Sequence, residues 1–188
     1  HEELGALLTA AKLDVARLKS KIGTLSPDVV ERLGHLTETL NTGIALKRRI
    51  VEDLHPSSLY HLGLTASLEI LTHEFSNHSG IPINTDLDTV EIDAAGQLTI
   101  YRLIQESLTN IGKYAEATLI TVTVQNYTGH VQVDVHDNGK GFDMAHVRPS
   151  THGIAGMRHR VEAAGGRLTV ISSPGNGTHI SAALPTHT

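Results

Sequence analysis

The 188-residue chain contains no cysteine and no tryptophan, and aromatic residues make up only 3% of it. Without thiols, a disulfide framework, a thiolate zinc site and a cysteine nucleophile are all excluded. Positive charge is also in the minority: 15 Lys+Arg stand against 20 Asp+Glu, a formal net charge of -5. Few aromatics and no basic stripe leave neither a stacking platform nor a phosphate-tracking surface, which argues against direct nucleic-acid binding. No apolar run approaches the ~20 residues that a bilayer span requires, so a soluble chain is expected. The chain opens at His1 with neither an initiator methionine nor a signal peptide, and is therefore read as a fragment.

Hydrophobic residues at 39% together with 17 glycines match the usual globular composition and rule out disorder as the main state. The length suits one or two domains. In the first 55 residues Leu4, Leu8, Ala11, Val15, Leu18, Ile22 and Leu25 recur at alternating spacings of four and three, a heptad seam. Ser26-Pro27-Asp28 interrupts it with an N-cap residue, a proline suited to the first helical position and an acid that favours the positive helix start. A second seam runs through Val30, Leu33, Thr37, Leu40, Ile44, Lys47, Val51 and Leu54, and Pro56 stops it near His55. This predicts an αα-hairpin. Two such helices bury little alone, so a second copy completing a four-helix bundle is expected, with a hairpin packed on the rest of the chain as the alternative.

After a linker the pattern changes. Helix is predicted over 66–78 and strand over 81–87, and Asp93 is expected to cap a long helix running to about Ala115. Alternating β-branched and polar residues predict strands over 118–125 and 131–136, joined by a turn at 126–129. A glycine-rich stretch covers 137–153. A short helix over 154–164 should end at Gly165-Gly166, and strands over 167–173 and 178–184 flank the hairpin signal Pro174-Gly175-Asn176-Gly177. Antiparallel strands with helices on one face imply an α/β sandwich.

Several elements could carry chemistry. On the long helix Glu106, Asn110 and Lys113 stand at i, i+4 and i+7 and share a face in a regular helix. Such a row offers a carboxylate and an amide to Mg²⁺ and a cation to a phosphate chain; it is equally a solvated stripe. Asp137-Asn138-Gly139-Lys140-Gly141-Phe142 follows a strand directly. Its glycines allow close ligand approach, and a buried carboxylate can accept a hydrogen bond from an exocyclic amine such as adenine's; an Asn-Gly hairpin turn is the plain alternative. Gly153-Ile154-Ala155-Gly156-Met157-Arg158 opens a helix whose free N–H groups could face phosphate, or is simply a flexible entry into that helix. The breaker-rich 144–152 segment between them suits a movable lid. Thr178, at the start of the last strand, offers a hydroxyl near the cavity floor. Among the 13 histidines, His73 and His78 nearly copy a zinc-protease pattern. Five residues apart, they diverge by about 140° on a helix and cannot share one ion.

The order of these elements resembles the ATP-binding domain of sensor histidine kinases, in the superfamily shared with gyrase, the heat-shock chaperone ATPases and mismatch-repair ATPases. Residues 105–115 look like its N box, Asp137 to Gly141 like its first glycine box, and Gly153 to Arg158 like its second. His1-Glu2-Glu3-Leu4-Gly5 resembles the phosphoacceptor motif of the subfamily with short dimerisation helices, and Leu54-His55-Pro56 the bend after the second helix. The resemblance implies an α+β chain: a hairpin over 1–57 that dimerises into a four-helix bundle and carries the phosphoacceptor, a linker over 58–65, and a Bergerat-type ATP-binding sandwich over 66–188. It implies ATP and Mg²⁺ as cofactors, with Asn110 and Glu106 at the metal, Lys113 on phosphate and Tyr114 beside it in the N box. Asp137, supported by Thr178, would bond adenine, Gly139 and Gly141 would allow close approach, and Gly153, Gly156 and Met157 would help close over the triphosphate. His1, oriented by Glu2, would attack the γ-phosphorus.

The same resemblance implies a cytoplasmic homodimer that passes its phosphoryl group to an aspartate of a response regulator, with any membrane link only through a sensor region upstream of His1. A plain ATPase or serine kinase on the same nucleotide fold is the alternative enzyme, and a silent dimerisation or docking module the alternative outside enzymology. Three departures from the family pattern stand out. Ala6 occupies the place where the family often has a glutamine serving phosphatase activity, so weak phosphatase activity is expected. Gly112 sits inside the N-box helix at a cost of ~1 kcal/mol in helix propensity relative to Ala, as a close approach of a strand or a lid hinge would require. Tyr114 stands where histidine is common. His1 also lacks the preceding turns of its helix, so fraying is expected there.

Overall fold

A computed structural model describes residues 2–21, 27–54, 56–144 and 152–186. The chain divides into two compact units, residues 1–57 and 58–188. No described helix is long and apolar enough to cross a membrane.

The first unit is the hairpin that the seams predict: α1 (Glu2–Lys21) and α2 (Pro27–Leu54). Pro27 is the first helical residue of α2 and Asp28 lies in its first turn, where Arg32 Nε donates to the Asp28 carboxylate at 3.1 Å. The expected cap Ser26 and the seam residues Ile22 and Leu25 lie outside the described residues. Leu8 reaches the backbone of Gly43, so the start of α1 lies against the middle of α2 and the helices run antiparallel. The seam is incompletely covered. Among the described residues of this unit only Val15 is a buried hydrophobic residue, at 7% exposure; of the seam residues Leu18, 51% exposed, and Val30 are exposed, as are Leu7, Leu13, Val29 and Leu36 off the seam.

The second unit begins within α3 (Ser57–Ser79), whose backbone breaks at Gly63 with φ 78°. The expected linker 58–65 is thus a helical turn and a kink. The cause is apolar: Leu59 packs against the core on one side of Gly63, and Leu64 is buried on the other. Then follow β1 (Ile83–Leu87), α4 (Ala94–Asn110), a π-helical turn (Ile111–Ala115), β2 (Ile120–Tyr127) and β3 (His130–Asp137). The chain continues through α5 (His152–Ala163), β4 (Arg167–Ser172) and β5 (Thr178–Pro185). Asp93 caps α4 as expected, its carboxylate accepting from Gly96 N–H at 2.7 Å. At the other end of the chain Gly166 N–H donates to Val161 C=O and Gly165 N–H to Glu162 C=O, with Gly165 at φ 73°. These are the paired bonds of a Schellman C-cap.

The five strands form one sheet in the order β1-β2-β3-β5-β4. It is mixed: β1 runs parallel to β2 across the α4 crossover, and the other neighbours are antiparallel. Along β2 and β3 burial alternates strictly, so Ile120, Val122, Val124, Val131, Val133 and Val135 face the helices while threonines, Gln132, Asp134 and His136 face away. Onto the apolar face pack Leu68 of α3, Ile100, Leu103, Ile104 and Leu108 of α4, and Met157 and Val161 of α5. Fully burying one such aliphatic side chain contributes about 1.5–3 kcal/mol, which makes this two-layer core the dominant stabilising term.

Candidate functional site

α4 packs against both α5 and β3, the elements that carry the two glycine boxes. Glu106 and Asn110 project one turn apart from the last two turns of α4, and Asn110 Nδ2 lies 3.5 Å from Glu106 Oε1. Residues 47 and 43 positions later in the chain, Gly153 of α5 lies against both. A Cβ built on Gly153 would stand 2.7 Å from Glu106 Oε1 and 3.2 Å from Asn110 Nδ2, so a side chain there would have to displace the ends of both. Below this contact Met157 is buried, and its Sδ lies 3.7 Å from Ser107 Oγ. The N-box helix and the second glycine box therefore touch through complementary surfaces. Gly156 is half-buried on the same helix, beside Arg160, and Arg158 Nη1 donates to Leu168 C=O at 3.0 Å, tying α5 to β4.

The first glycine box is built at the end of β3. Asp137 is 2% exposed, and Gly139 N–H donates to its Oδ1 at 2.8 Å. The Asn138-Gly139 pair does not turn the chain back as a β-hairpin, because the next neighbour of β3 in the sheet is β5. Instead the chain crosses the π turn: Lys140 N–H donates to Ala115 C=O at 2.8 Å, and a Cβ on Gly139 would collide with that carbonyl. Gly141 takes φ 58° with its backbone pressed against Ser173 C=O, a conformation and a clearance that glycine alone satisfies. The side chain of Asn138 holds the neighbouring strand start, accepting from Thr118 N–H at 2.9 Å and Leu119 N–H at 3.0 Å.

Thr178 is the register partner of Asp137 across β3 and β5, and Ser172 the partner of Thr178 across β5 and β4. Paired residues share a sheet face, so the three side chains form a row. The Thr178 and Ser172 hydroxyls lie 3.1 Å apart. Ser172 Oγ also accepts from Phe142 N–H at 3.0 Å and donates to Gly177 C=O at 2.9 Å. Ser172 and Gly177 are thus structural parts of the glycine-box loop that sequence reasoning passed over. A serine at a strand end carries no spacing signal, and Gly177 reads as an ordinary turn glycine.

Two further expectations change. The shared face of Glu106, Asn110 and Lys113 assumes α-helical spacing throughout, but the helix widens into a π turn at Ile111, so the rule stops at Asn110. Lys113 and Tyr114 both lie on that turn and are exposed, Tyr114 at 65%. Gly112 is small for neither a strand nor a lid: a Cβ there would stand 3.2 Å from the ring of Phe75 on α3. The turn ends at Glu116, left-handed at φ 54°, whose carboxylate lies 2.6 Å from Lys140 Nζ. The hydrogen bond from Lys140, and then its charge, hold the Glu116 carboxyl below its ordinary value. His1 and the 145–151 part of the expected lid lie outside the described residues, as does any description of the Glu2 side chain. Among the described residues no group of three His, Asp or Glu side chains is arranged to hold a metal ion.

Residues 95–188 match the family described as histidine kinase-, DNA gyrase B- and HSP90-like ATPase. The chain is 29% identical over 162 residues to the signal transduction histidine-protein kinase/phosphatase DegS of Brevibacillus brevis, covering 84% of this chain and 42% of that protein. It is 27% identical over 185 residues to the sensor histidine kinase LiaS of Bacillus subtilis, covering 98% of this chain and 51% of that one. The chain thus spans about half the length of the curated relatives it matches. Among solved structures, the blue-light activated histidine kinase EL346 of Erythrobacter litoralis shares the fold, with a TM-score of 0.58 at 21% identity over 98% of this chain and 59% of that one. The family match covers the elements that carry both glycine boxes and the Glu106–Asn110 pair, and on that ground the chain belongs to the histidine kinase-, DNA gyrase B- and HSP90-like ATPase family.

Proposed function

We propose that this chain is the catalytic core of a two-component sensor histidine kinase, which binds Mg·ATP, phosphorylates itself on His1 and passes the phosphoryl group to an aspartate of a response regulator. The observation that carries the reading is the contact of Gly153 with Glu106 and Asn110, which joins two motifs far apart in sequence. Asp137 accepts the exocyclic amine of adenine, while the Gly139 and Gly141 backbones form the close wall of the base pocket. Thr178, in line with Asp137, supports that end of the pocket. Lys113 and the first turns of α5, with Gly156, attend the phosphates, and Tyr114 flanks the nucleotide from the exposed π turn; Met157, expected at the triphosphate, is buried against Ser107 and can only seat α5.

Glu106 and Asn110 are hard oxygen donors one helical turn apart, the donor class that Mg²⁺ accepts, and so would hold that ion and its water shell. When bound, the ion neutralises charge on the phosphate chain. A His1 ring nitrogen, with Glu2 fixing the other ring nitrogen, forms the new P–N bond as the γ-phosphorus leaves the bridging oxygen of ADP. Phosphoryl transfer asks mainly for positioning and charge neutralisation, which these side chains supply. The exposed seam residues Leu18 and Val30 support a homodimer, because a second hairpin would cover them.

The test is incubation with γ-labelled ATP. Acid-labile, base-stable label is expected on the wild type and is lost in His1→Gln, whose nucleotide affinity stays within about twofold of wild type. Label retained by His1→Gln, or label stable to acid, would overturn the assignment.

A further inference from the structure

The opposite edge of the second unit has a feature that nucleotide chemistry does not use. Among the described residues β1 is an edge strand, paired only with β2. At the two ends of that ladder Ile120 N–H donates to Pro82 C=O at 3.1 Å and Asp88 N–H donates to Val124 C=O at 2.8 Å. The ladder therefore uses the even-numbered residues of β1, and by the period of two the N–H and C=O groups of Ile83, Thr85 and Leu87 point to the open edge. Beside that edge runs a groove of about 460 Å³ between β1 and α3, lined by Glu69, Ile70, His73, Ser76, Ile83 and Thr85 among others.

Charge specifies the occupant. From Ile50 to Tyr101 the chain has no lysine or arginine; of the carboxylates in residues 58–101, Asp88 accepts from Asn126 N–H and Asp93 caps α4, which leaves Glu69, Glu74, Asp86 and Glu91. Glu69 lines the groove and Asp86 is exposed on β1 itself. We infer that the β1 edge and its groove form a docking site for an extended, basic segment of a partner protein, which adds as a strand beside β1 and seats alternate side chains against α3. Backbone pairing supplies the affinity in such strand addition, and the groove and its carboxylates select side chains. A second copy of this chain is the wrong occupant, since edge-to-edge pairing would set Asp86 and its acidic neighbours against another acidic edge. The chain's own basic run, Lys47-Arg48-Arg49, is committed to helix α2.

The probe is a blocked pentapeptide of alternating lysine and valine, with the glutamate-for-lysine peptide as control, titrated into the full chain by amide NMR. The lysine peptide is expected to shift the amides of Ile83, Thr85 and Leu87, to slow their hydrogen exchange, and to bind at least tenfold tighter than the glutamate peptide. Thr85→Pro removes an outward N–H that the ladder does not use and should weaken binding at least tenfold. Glu69→Lys, a surface change on α3 that leaves the fold intact, should weaken it severalfold and decides the matter if Thr85→Pro does not fold. Equal binding of the two peptides, unmoved β1 amides, or full affinity in Glu69→Lys would overturn the proposal.

Discussion

Gly153 and Glu106 lie together across 47 residues of chain: a Cβ at position 153 would stand 2.7 Å from the Glu106 carboxylate, so a side chain there must displace the end of Glu106. Gly153→Val should therefore displace the ends of the Glu106 and Asn110 side chains, the pair that the proposed function assigns to Mg·ATP. Nucleotide affinity is expected to fall at least tenfold, with helix content by circular dichroism unchanged. Wild-type affinity in this variant would show that the two motifs need not meet.

Asp137 is the buried acceptor of the first glycine box. In Asp137→Ala the Gly139 N–H loses its carboxylate partner, costing about 1–3 kcal/mol of stability in urea unfolding. Binding of a fluorescent ATP analogue should be lost, at least 100-fold. A variant that still binds would point to a different adenine contact.

Ser172 ties the loop after Gly141 to the sheet through Phe142 N–H and Gly177 C=O. Ser172→Ala removes both bonds, each worth about 0.5–1.5 kcal/mol. The expected outcome is a small loss of stability with a severalfold weaker nucleotide titration.

Ala6 lies on α1 with an exposed methyl that cannot position a water. Ala6→Gln should raise dephosphorylation of the phosphorylated regulator severalfold, while autophosphorylation is unchanged. Equal rates in the two proteins would remove position 6 from that activity.

On the outer face of the sheet, His179 Nε2 lies 2.7 Å from Asp134 Oδ1 and Gln132 Nε2 donates to Oδ2 at 3.0 Å. Burial raises the Asp134 carboxyl, but hydrogen bonds from Gln132, Ser181 and His179, with the charge of His179, outweigh it and hold the group below its ordinary 3.8. A depressed folded-state pKa gives stability that is present above the unfolded value and is lost as pH falls through the folded one. Urea midpoints should therefore drop more steeply below about pH 4 in wild type than in Asp134→Asn. Parallel pH profiles would exclude this carboxylate as a source of acid sensitivity.

Much of the molecule was legible from local rules. Strict alternation marked β2 and β3, Asp93 and Gly165 marked helix ends, and the three- and four-residue spacing marked both hairpin helices, because period and capping act over a few residues. The contents of the site were legible for the same reason: short motifs carry their own composition. The helical structure around Gly63 was not legible because its flanking leucines find a core that no local window displays. The π turn that carries Lys113 was not legible because such a turn has no sequence period of its own.

Residues 1–188 thus specify, by pattern alone, which segments are helix or strand and which side chains have chemistry to offer. The parallel pairing of β1, the row of Asp137, Thr178 and Ser172, and the seating of Gly153 on Glu106 were decided only by tertiary structure. Each joins segments whose proximity follows from burying one shared apolar face, and that energy belongs to the whole core rather than to any stretch of sequence.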